Sequence, residues 1–127
     1  MAQPPGHNPV GSKAVGGAAD LTGKEGYCIK LTADAVVLSA AVGDNPVWVL
    51  THGAAVGSMA GFGNGPSLVW ISEAVTAVGQ RLRPAADGTW MLCDAASDVI
   101  GAVAQQIGAA NSFIQAFVLP DSTHLHL

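Results

Sequence analysis

Short apolar segments alternate with turn-forming residues along most of the chain. From residue 26 onward, segments of four to seven residues rich in β-branched, aromatic and aliphatic side chains are separated by Gly, Asn, Asp and Pro. This pattern is typical of strands joined by turns. The predicted strands are residues 27–31, 36–39, 47–51, 58–62, 67–71, 80–83, 89–92, 99–105 and 113–119. Strands at this spacing, without a long helical period, predict an all-β fold, a small compact β-barrel or sandwich.

Three segments between or beyond these strands have their own expected structures. Residues 61–65 have the sequence Gly-Phe-Gly-Asn-Gly. They lack the lysine of a phosphate-binding loop, so a hairpin turn between the flanking strands is expected. Residues 72–78 are expected to form a short helical turn. Residues 123–127 alternate polar and apolar side chains, which predicts a terminal strand with one wet face.

The pattern of residues 26–62 is repeated, in weakened form, at residues 79–117. At an offset of 53 positions Gly26 falls on Gly79, Lys30 falls on Arg83, and the apolar segment 47–50 falls on 100–103. The body is therefore predicted to consist of two internally duplicated halves. Because units of roughly 40 residues bury little surface alone, we expect the halves to share one core.

The first residues of the chain offer little that a core would bury. They contain Pro4, Pro5 and a run of small residues. We therefore predict an extended N-terminal arm over residues 1–23 and a single β-rich domain over residues 24–127. The arm is either ordered against a partner or a disordered tail. If it binds, Pro4, Pro5 and Val10 are its candidate interface residues.

The chain is poor in charge. Charged residues make up 11% of it, nine acidic and five basic, against about 25% in a typical soluble domain. This composition favours a surface partly hidden in an oligomer or larger assembly, the alternative being a neutral surface of small residues. A net charge of −4 without a basic run argues against nucleic acid as a partner. The apolar stretches are too interrupted to indicate a membrane span.

The histidines are the first candidates for reactive chemistry. His124 and His126 are two positions apart, a spacing that can hold zinc on a strand, but no third ligand accompanies them. His52 follows an apolar strand without a recognisable acid or nucleophile partner. The sequence therefore predicts no catalytic residue, no metal site and no cofactor, and a protein that is not an enzyme.

Paired acids and cysteines also have simple explanations. Asp34 and Asp87 occupy equivalent positions in the duplication, as a catalytic pair would, but both lie in predicted turns, where Asp is favoured for local hydrogen bonds. Cys28 and Cys93 are not equivalent in the duplication. Two reduced thiols are expected rather than a disulfide.

The three tryptophans are candidates for binding. Trp48, Trp70 and Trp90 each lie in a predicted strand beside aliphatic residues. Burial in the core or in a subunit or capsid interface is the expected role. A sugar-binding platform is the alternative.

Several segments in order resemble the capsid decoration (head cement) proteins of tailed bacteriophages. They are Gly26-Tyr27-Cys28-Ile29-Lys30-Leu31, Pro46-Val47-Trp48-Val49-Leu50, Gly79-Gln80-Arg81-Leu82, Asp87-Gly88 and Ile100-Gly101-Ala102-Val103-Ala104. The similarity extends over residues 24–120. Trp48 departs from it, because the family often has glycine there.

The resemblance implies a virion structural protein that is made in the host bacterial cytoplasm and binds the outer surface of an assembled capsid. Its implied partner is the major capsid protein, and the implied oligomer is most often a homotrimer. Two other classes of function stay open: a carbohydrate- or host-surface-binding β module that uses the tryptophans, and a small β-barrel enzyme built around His52 or the paired aspartates.

Overall fold

Two five-stranded β-sheets, one from each half of the chain, form the protein in the computed structural model. The structure describes residues 9–16, 20–32, 35–38, 48–94, 98 and 100–119, and no helix occurs among them. The strands of the first half are β1 (Pro9–Ala14), β2 (Cys28–Leu31), β3 (Val36–Leu38), β4 (Trp48–His52) and β5 (Met59–Gly63). Those of the second half are β6 (Gly65–Ile71), β7 (Arg81–Pro84), β8 (Trp90–Leu92), β9 (Ala102–Ala104) and β10 (Ser112–Val118). The predicted all-β fold is confirmed.

Both halves pair their strands in the same order. The first sheet runs β1-β5-β4-β2-β3, and the second runs β6-β10-β9-β7-β8. In the second half, a parallel pairing of Ile71 with Trp90 joins β6 to β8 and closes a barrel. In the first half, a parallel bridge between Val15 and Val36 occupies the corresponding position. The duplication is thus a repeat of complete five-stranded units, and it includes β1 and β6.

Backbone hydrogen bonds outside the strand ladders repeat as well. Gly26 donates its N–H to the carbonyl of Leu50 at 2.8 Å, and Gly79 donates to Ala104 at 2.8 Å. Both glycines have a positive φ, of 89° and 95°. Glycine adopts this left-handed conformation without the steric cost that a Cβ atom brings, which explains why the same residue stands at both positions.

The apolar residues form two cores, so the prediction of a single shared core is wrong. The first cluster belongs to the first half and is made of Val15, Leu21, Ile29, Val36, Leu50, Ala60 and Phe62. The second is made of Cys28, Val49, Val69, Ile71, Val75, Leu82, Trp90, Ala102, Ala104, Ile114, Ala116 and Val118. Each sheet is curved and encloses one of these two clusters. Cys28 and Val49 are first-half residues within the second cluster, and through them the halves pack together.

Part of the predicted N-terminal arm belongs to the first sheet. β1 pairs antiparallel with β5 from Pro9 to Ala14, and Val15 and Leu21 are buried in the first cluster. Strand pairing uses backbone groups that every non-proline residue carries, so a segment of small residues can form an edge strand. Residues 1–8 lie outside the described part of the chain.

Two of the predicted connections differ from the structure. β5 and β6 do not form a hairpin, because they belong to different sheets, and only Asn64 separates them. Residues 72–78 contain no helical turn; Val75 instead forms an antiparallel bridge with Gly108. In both segments the strand pairing depends on residues that are distant in sequence. A local sequence pattern does not show which residues these are. The predicted strand at residues 123–127 falls outside the described residues.

Candidate interaction surfaces

The contact between the two halves is centred on Gly26. Its carbonyl oxygen accepts hydrogen bonds from Trp70 N at 2.9 Å and from Trp90 Nε1 at 3.1 Å. A Cβ atom on Gly26 would lie 2.6 Å from Phe113 Cε1, so only glycine allows the ring to pack this closely. The first half therefore inserts a glycine turn between aromatic side chains of the second half.

A second pair of contacts extends this interface along β2. Cys28 N donates to Gly88 O at 2.7 Å. A Cβ atom on Gly88 would lie 3.0 Å from Leu38 Cδ2 and 3.4 Å from Cys28 O. The two halves thus meet through backbone hydrogen bonds and close apolar packing, and the interface fixes their orientation.

The three tryptophans lie in different environments. Trp90 is fully buried, so it is not available to a subunit or capsid partner of this chain; its role is in the contact between the halves. Trp48 is half-buried and packs edge-to-face on Phe62, with ring centroids 5.4 Å apart. Trp70 is half-buried and packs edge-to-face on Phe113 at 4.9 Å. Pro4 and Pro5 lie outside the described residues, and Val10 belongs to β1.

The outer face of the β6–β10 pair is uncharged and mostly apolar. Alternate residues of both strands point inward, and the register places three pairs on the outside: Pro66 with Phe117, Leu68 with Gln115 and Trp70 with Phe113. We call these six residues the ribbon face. None of them is charged, and Phe113 and Phe117 are 47% and 37% exposed. An antiparallel sheet face that meets water is normally polar, so this face is suited to a partner.

The sequence contained a signal for the ribbon face that the strand predictions did not use. In β6 and β10 large apolar residues occupy both alternating sets of positions. One set fills the core, and the other set lies on the outer face of the sheet. Only Trp70 of this face was identified from the sequence, because the sequence does not show which set faces inward.

Arg83 and Asp98 form a largely buried ion pair in the second half. Arg83 Nε lies 3.1 Å from Asp98 Oδ2, although its N–H is not directed at that oxygen in a hydrogen bond. Asp98 Oδ2 also accepts the N–H of Asp94 at 2.9 Å. Nearby, burial and the charge of Asp98 raise the pKa of the Cys93 thiol to about 11. Cys93 is therefore a poor nucleophile at neutral pH, and it forms no disulfide with Cys28.

Asp87 makes the local hydrogen bonds expected of a turn residue. Its Oδ1 accepts the hydroxyl of Thr89 at 2.6 Å and the N–H of Thr89 at 3.1 Å. The Thr89 hydroxyl, more than any other neighbour, holds the pKa of Asp87 below its usual value. Asp34, its equivalent in the first half, lies outside the described residues.

The candidates for metal binding and catalysis are not brought together. His52 is exposed at the end of β4, and His124 and His126 lie outside the described residues. Within the described ranges, no three His, Cys, Asp or Glu side chains are grouped as metal ligands would be. The same ranges contain no helix long and apolar enough to cross a membrane.

Comparison of the chain with protein-family models, with curated proteins and with solved structures finds no match.

Proposed function

We propose that this protein is a capsid decoration protein of a tailed bacteriophage. It binds the outer surface of the assembled capsid, contacts the major capsid protein there, and reinforces the shell against the pressure of packaged DNA. It acts as a homo-oligomer, and the sequence resemblance favours a trimer. In this proposal its function is structural, with neither catalysis nor a cofactor.

The observation that carries this proposal is the ribbon face. It presents paired large side chains on two long strands and no charge. Large uncharged surfaces on soluble proteins mark sites of protein interaction, and aromatic residues are enriched at such sites. The scarcity of charge in the whole chain agrees with a protein that works within an assembly.

The architecture suits reinforcement of a lattice. The second half closes into a barrel, and a closed barrel has no free strand edge. The contact at Gly26 fixes the second half to the first, so both halves transmit force as one body. Several such bodies in one oligomer bind a repeating lattice with avidity, which allows each individual contact to be weak.

The first strand of the described chain begins close to the ribbon face. β1 begins at Pro9, opposite Gly63, and Asn64 alone separates Gly63 from β6. The segment that contains Pro4 and Pro5 therefore joins the body near the first residues of the ribbon. We propose that Pro4 and Pro5 contribute contacts with the capsid.

A binding experiment tests the proposal. Purified protein is added to expanded capsids of the virus that encodes it, from which the protein is missing. We expect co-sedimentation with the capsids and a higher temperature of DNA release. Phe117→Asp places a charge in the ribbon face and is expected to weaken binding at least about tenfold. Ala86→Asp, in an exposed turn, is the charge-matched control.

Two results would overturn the proposal. One is the absence of binding to expanded capsids at any protein concentration. The other is binding that Phe117→Asp and Ala86→Asp leave equally strong, because the ribbon face would then not carry the interaction. Circular dichroism of both variants verifies that they are folded.

Carbohydrate binding is the second candidate, and the Trp70–Phe113 pair favours it. These rings lie together on an outer sheet face, 4.9 Å apart, and aromatic rings of this kind stack on sugars. Titration with host-surface glycans that quenches tryptophan fluorescence, and does so less in Trp70→Phe, would support this function. Unchanged fluorescence across the titration would remove it.

A further inference from the structure

The halves contact each other head to tail, so each leaves one surface without its counterpart. In the covered contact, Gly26 of the first half packs against Trp70 and Phe113 of the second. A head-to-tail contact uses two different surfaces. Because the halves have the same strand order, the second half carries its own version of the glycine surface. The first half likewise carries its own version of the aromatic surface.

The second glycine surface is not covered by the residues that the structure describes. Gly79 corresponds to Gly26, since both have a positive φ and donate their N–H to the equivalent strand. Among the described residues, a Cβ atom on Gly79 would meet nothing within 4 Å, whereas one on Gly26 would meet Phe113. Val78, next to Gly79, is 67% exposed, and Ile107, next to the bridge between Gly108 and Val75, is 59% exposed. We call Val78, Gly79 and Ile107 the open glycine surface.

In the first half, a hydrogen bond joins the two residues that are equivalent to Val78 and Ile107. Glu25 precedes Gly26 as Val78 precedes Gly79, and Gly53 corresponds to Ile107. Glu25 Oε2 accepts the N–H of Gly53 at 2.6 Å. In the second half this hydrogen bond is replaced by two large exposed apolar side chains. Exposing them costs free energy in water, and a partner that covers them recovers it.

The counterpart of the aromatic surface is also open. Met59 pairs with Ala14 in the first sheet as Phe113 pairs with Trp70 in the second. Met59 is 56% exposed, and Val56, which bridges to Val15 at the same end of β1, is 49% exposed. We call Ala14, Val56 and Met59 the open methionine surface. Methionine adapts its shape readily to a partner.

We propose that the open glycine surface of one copy of this chain binds the open methionine surface of a second copy. The contact repeats, between chains, the interface that already joins the two halves within one chain. Neither surface contains a charged residue, so they meet without like charges facing each other even though the chain carries a net charge of −4. Repetition of a head-to-tail contact produces a closed ring or an open chain of copies.

This proposal does not depend on capsid binding. It rests on the contact between the halves, and the ribbon residues Pro66, Leu68 and Phe117 are not part of either open surface. Its test is the association of the purified protein in solution without any capsid. A chain that stays monomeric would remove the oligomer from the proposed function but not the binding of single copies to the capsid, so the failures of the two proposals are distinguishable.

Sedimentation of the full chain across a wide range of concentration is the first measurement. We expect the weight-average molar mass to exceed that of one chain and to rise with protein concentration. Val78→Glu and Met59→Glu are each expected to raise the apparent Kd at least about tenfold. Ala86→Glu, exposed and outside both surfaces, is the charge-matched control and is expected to leave the Kd unchanged.

A mixing experiment distinguishes head-to-tail binding from a symmetric dimer. Val78→Glu keeps an intact open methionine surface, and Met59→Glu keeps an intact open glycine surface. Mixed in equal amounts, they are expected to form a complex of one copy each, although each alone is weakened. In a symmetric dimer with both residues in one patch, mixing would restore nothing, and that result would overturn the proposal.

Cross-linking adds a readout independent of the charged variants. Val78→Cys in one copy and Met59→Cys in another are expected to form an intermolecular disulfide under mild oxidation. The native Cys93 competes poorly, since its pKa is about 11. A monomer at every concentration, or an oligomer that neither Glu variant weakens, would overturn the proposal.

Discussion

At the scale of single residues, glycine at two equivalent positions has two different roles. Gly26 and Gly79 share the left-handed conformation, but only Gly26 lies under an aromatic ring. The duplication therefore supplies a matched pair in which the backbone requirement is the same and the packing differs. The effect of packing can be measured as a difference between the two positions.

Substituting alanine at each position separates these contributions. Gly79→Ala is expected to lower the free energy of unfolding by about 1–2 kcal/mol, the cost of a left-handed residue with a Cβ atom. Gly26→Ala is expected to cost about 1–3 kcal/mol more, since Phe113 must move. Urea unfolding at a protein concentration where the chain is monomeric measures both. Equal losses would show that Phe113 does not constrain Gly26.

The hydrogen bond between Thr89 and Asp87 predicts a dependence on pH. It lowers the pKa of Asp87 in the folded protein, so its contribution to stability is full above the unfolded-state pKa and is lost as the pH falls through the folded-state pKa. Thr89→Val is expected to lower the free energy of unfolding by about 0.5–1 kcal/mol at neutral pH. This difference should shrink in acid. A difference that stays constant between neutral pH and strong acid would contradict the assignment.

At the scale of elements, strands β2 to β10 were predictable from the sequence, whereas β1 and the pairing partners of the strands were not. The segments with turn residues on both sides, such as 36–39 and 89–92, correspond to β3 and β8 within a residue at each end. The turn at residues 61–65 was misjudged because a Gly-rich sequence fits a hairpin as well as a crossing between sheets. Which of the two forms depends on pairing partners elsewhere, β4 for β5 and β10 for β6.

The candidate surfaces were predictable to a smaller degree. Trp70 was identified as an interface residue from its type alone, whereas Phe113 and Phe117 were assigned only to a strand. Their exposure follows from the register of β10 on β6, which turns Ile114 and Ala116 inward. A register is a property of two strands together, and the sequence of one strand does not specify it.

The indole of Trp90 connects elements of different halves, and this predicts a measurable loss. Trp90→Phe removes the donor to Gly26 O and leaves a small cavity in the second cluster. We expect the free energy of unfolding to fall by about 2–3 kcal/mol. Trp48→Phe, in a half-buried site of the first half, should cost less. Guanidinium unfolding followed by circular dichroism gives both values, and an equal loss would contradict the role of Trp90 in the contact.

At the scale of the whole molecule, two cores are joined by one interface. Cys28 and Val49 belong to the first sheet and pack in the second cluster. If one half unfolds, these side chains and the aromatic residues around Gly26 lose their partners. The stability of each half is thus coupled to that of the other.

We therefore expect the chain to unfold in a single cooperative transition. Trp48 reports on the first half, and Trp90 reports on the second. Within each of the Trp48→Phe and Trp90→Phe variants, the fluorescence and circular dichroism transitions should have the same midpoint denaturant concentration. Separate midpoints for the two optical signals within one variant would show that the halves unfold independently.

The one-residue connection at Asn64 has an evolutionary consequence. A joint this short can link two units only where the end of one already lies beside the start of the next. Fusion of two neighbouring copies in an ancestral head-to-tail assembly would leave such a joint without any new loop. Such a fusion would make the contact at Gly26 equivalent to an interface between two separate copies of the five-stranded unit.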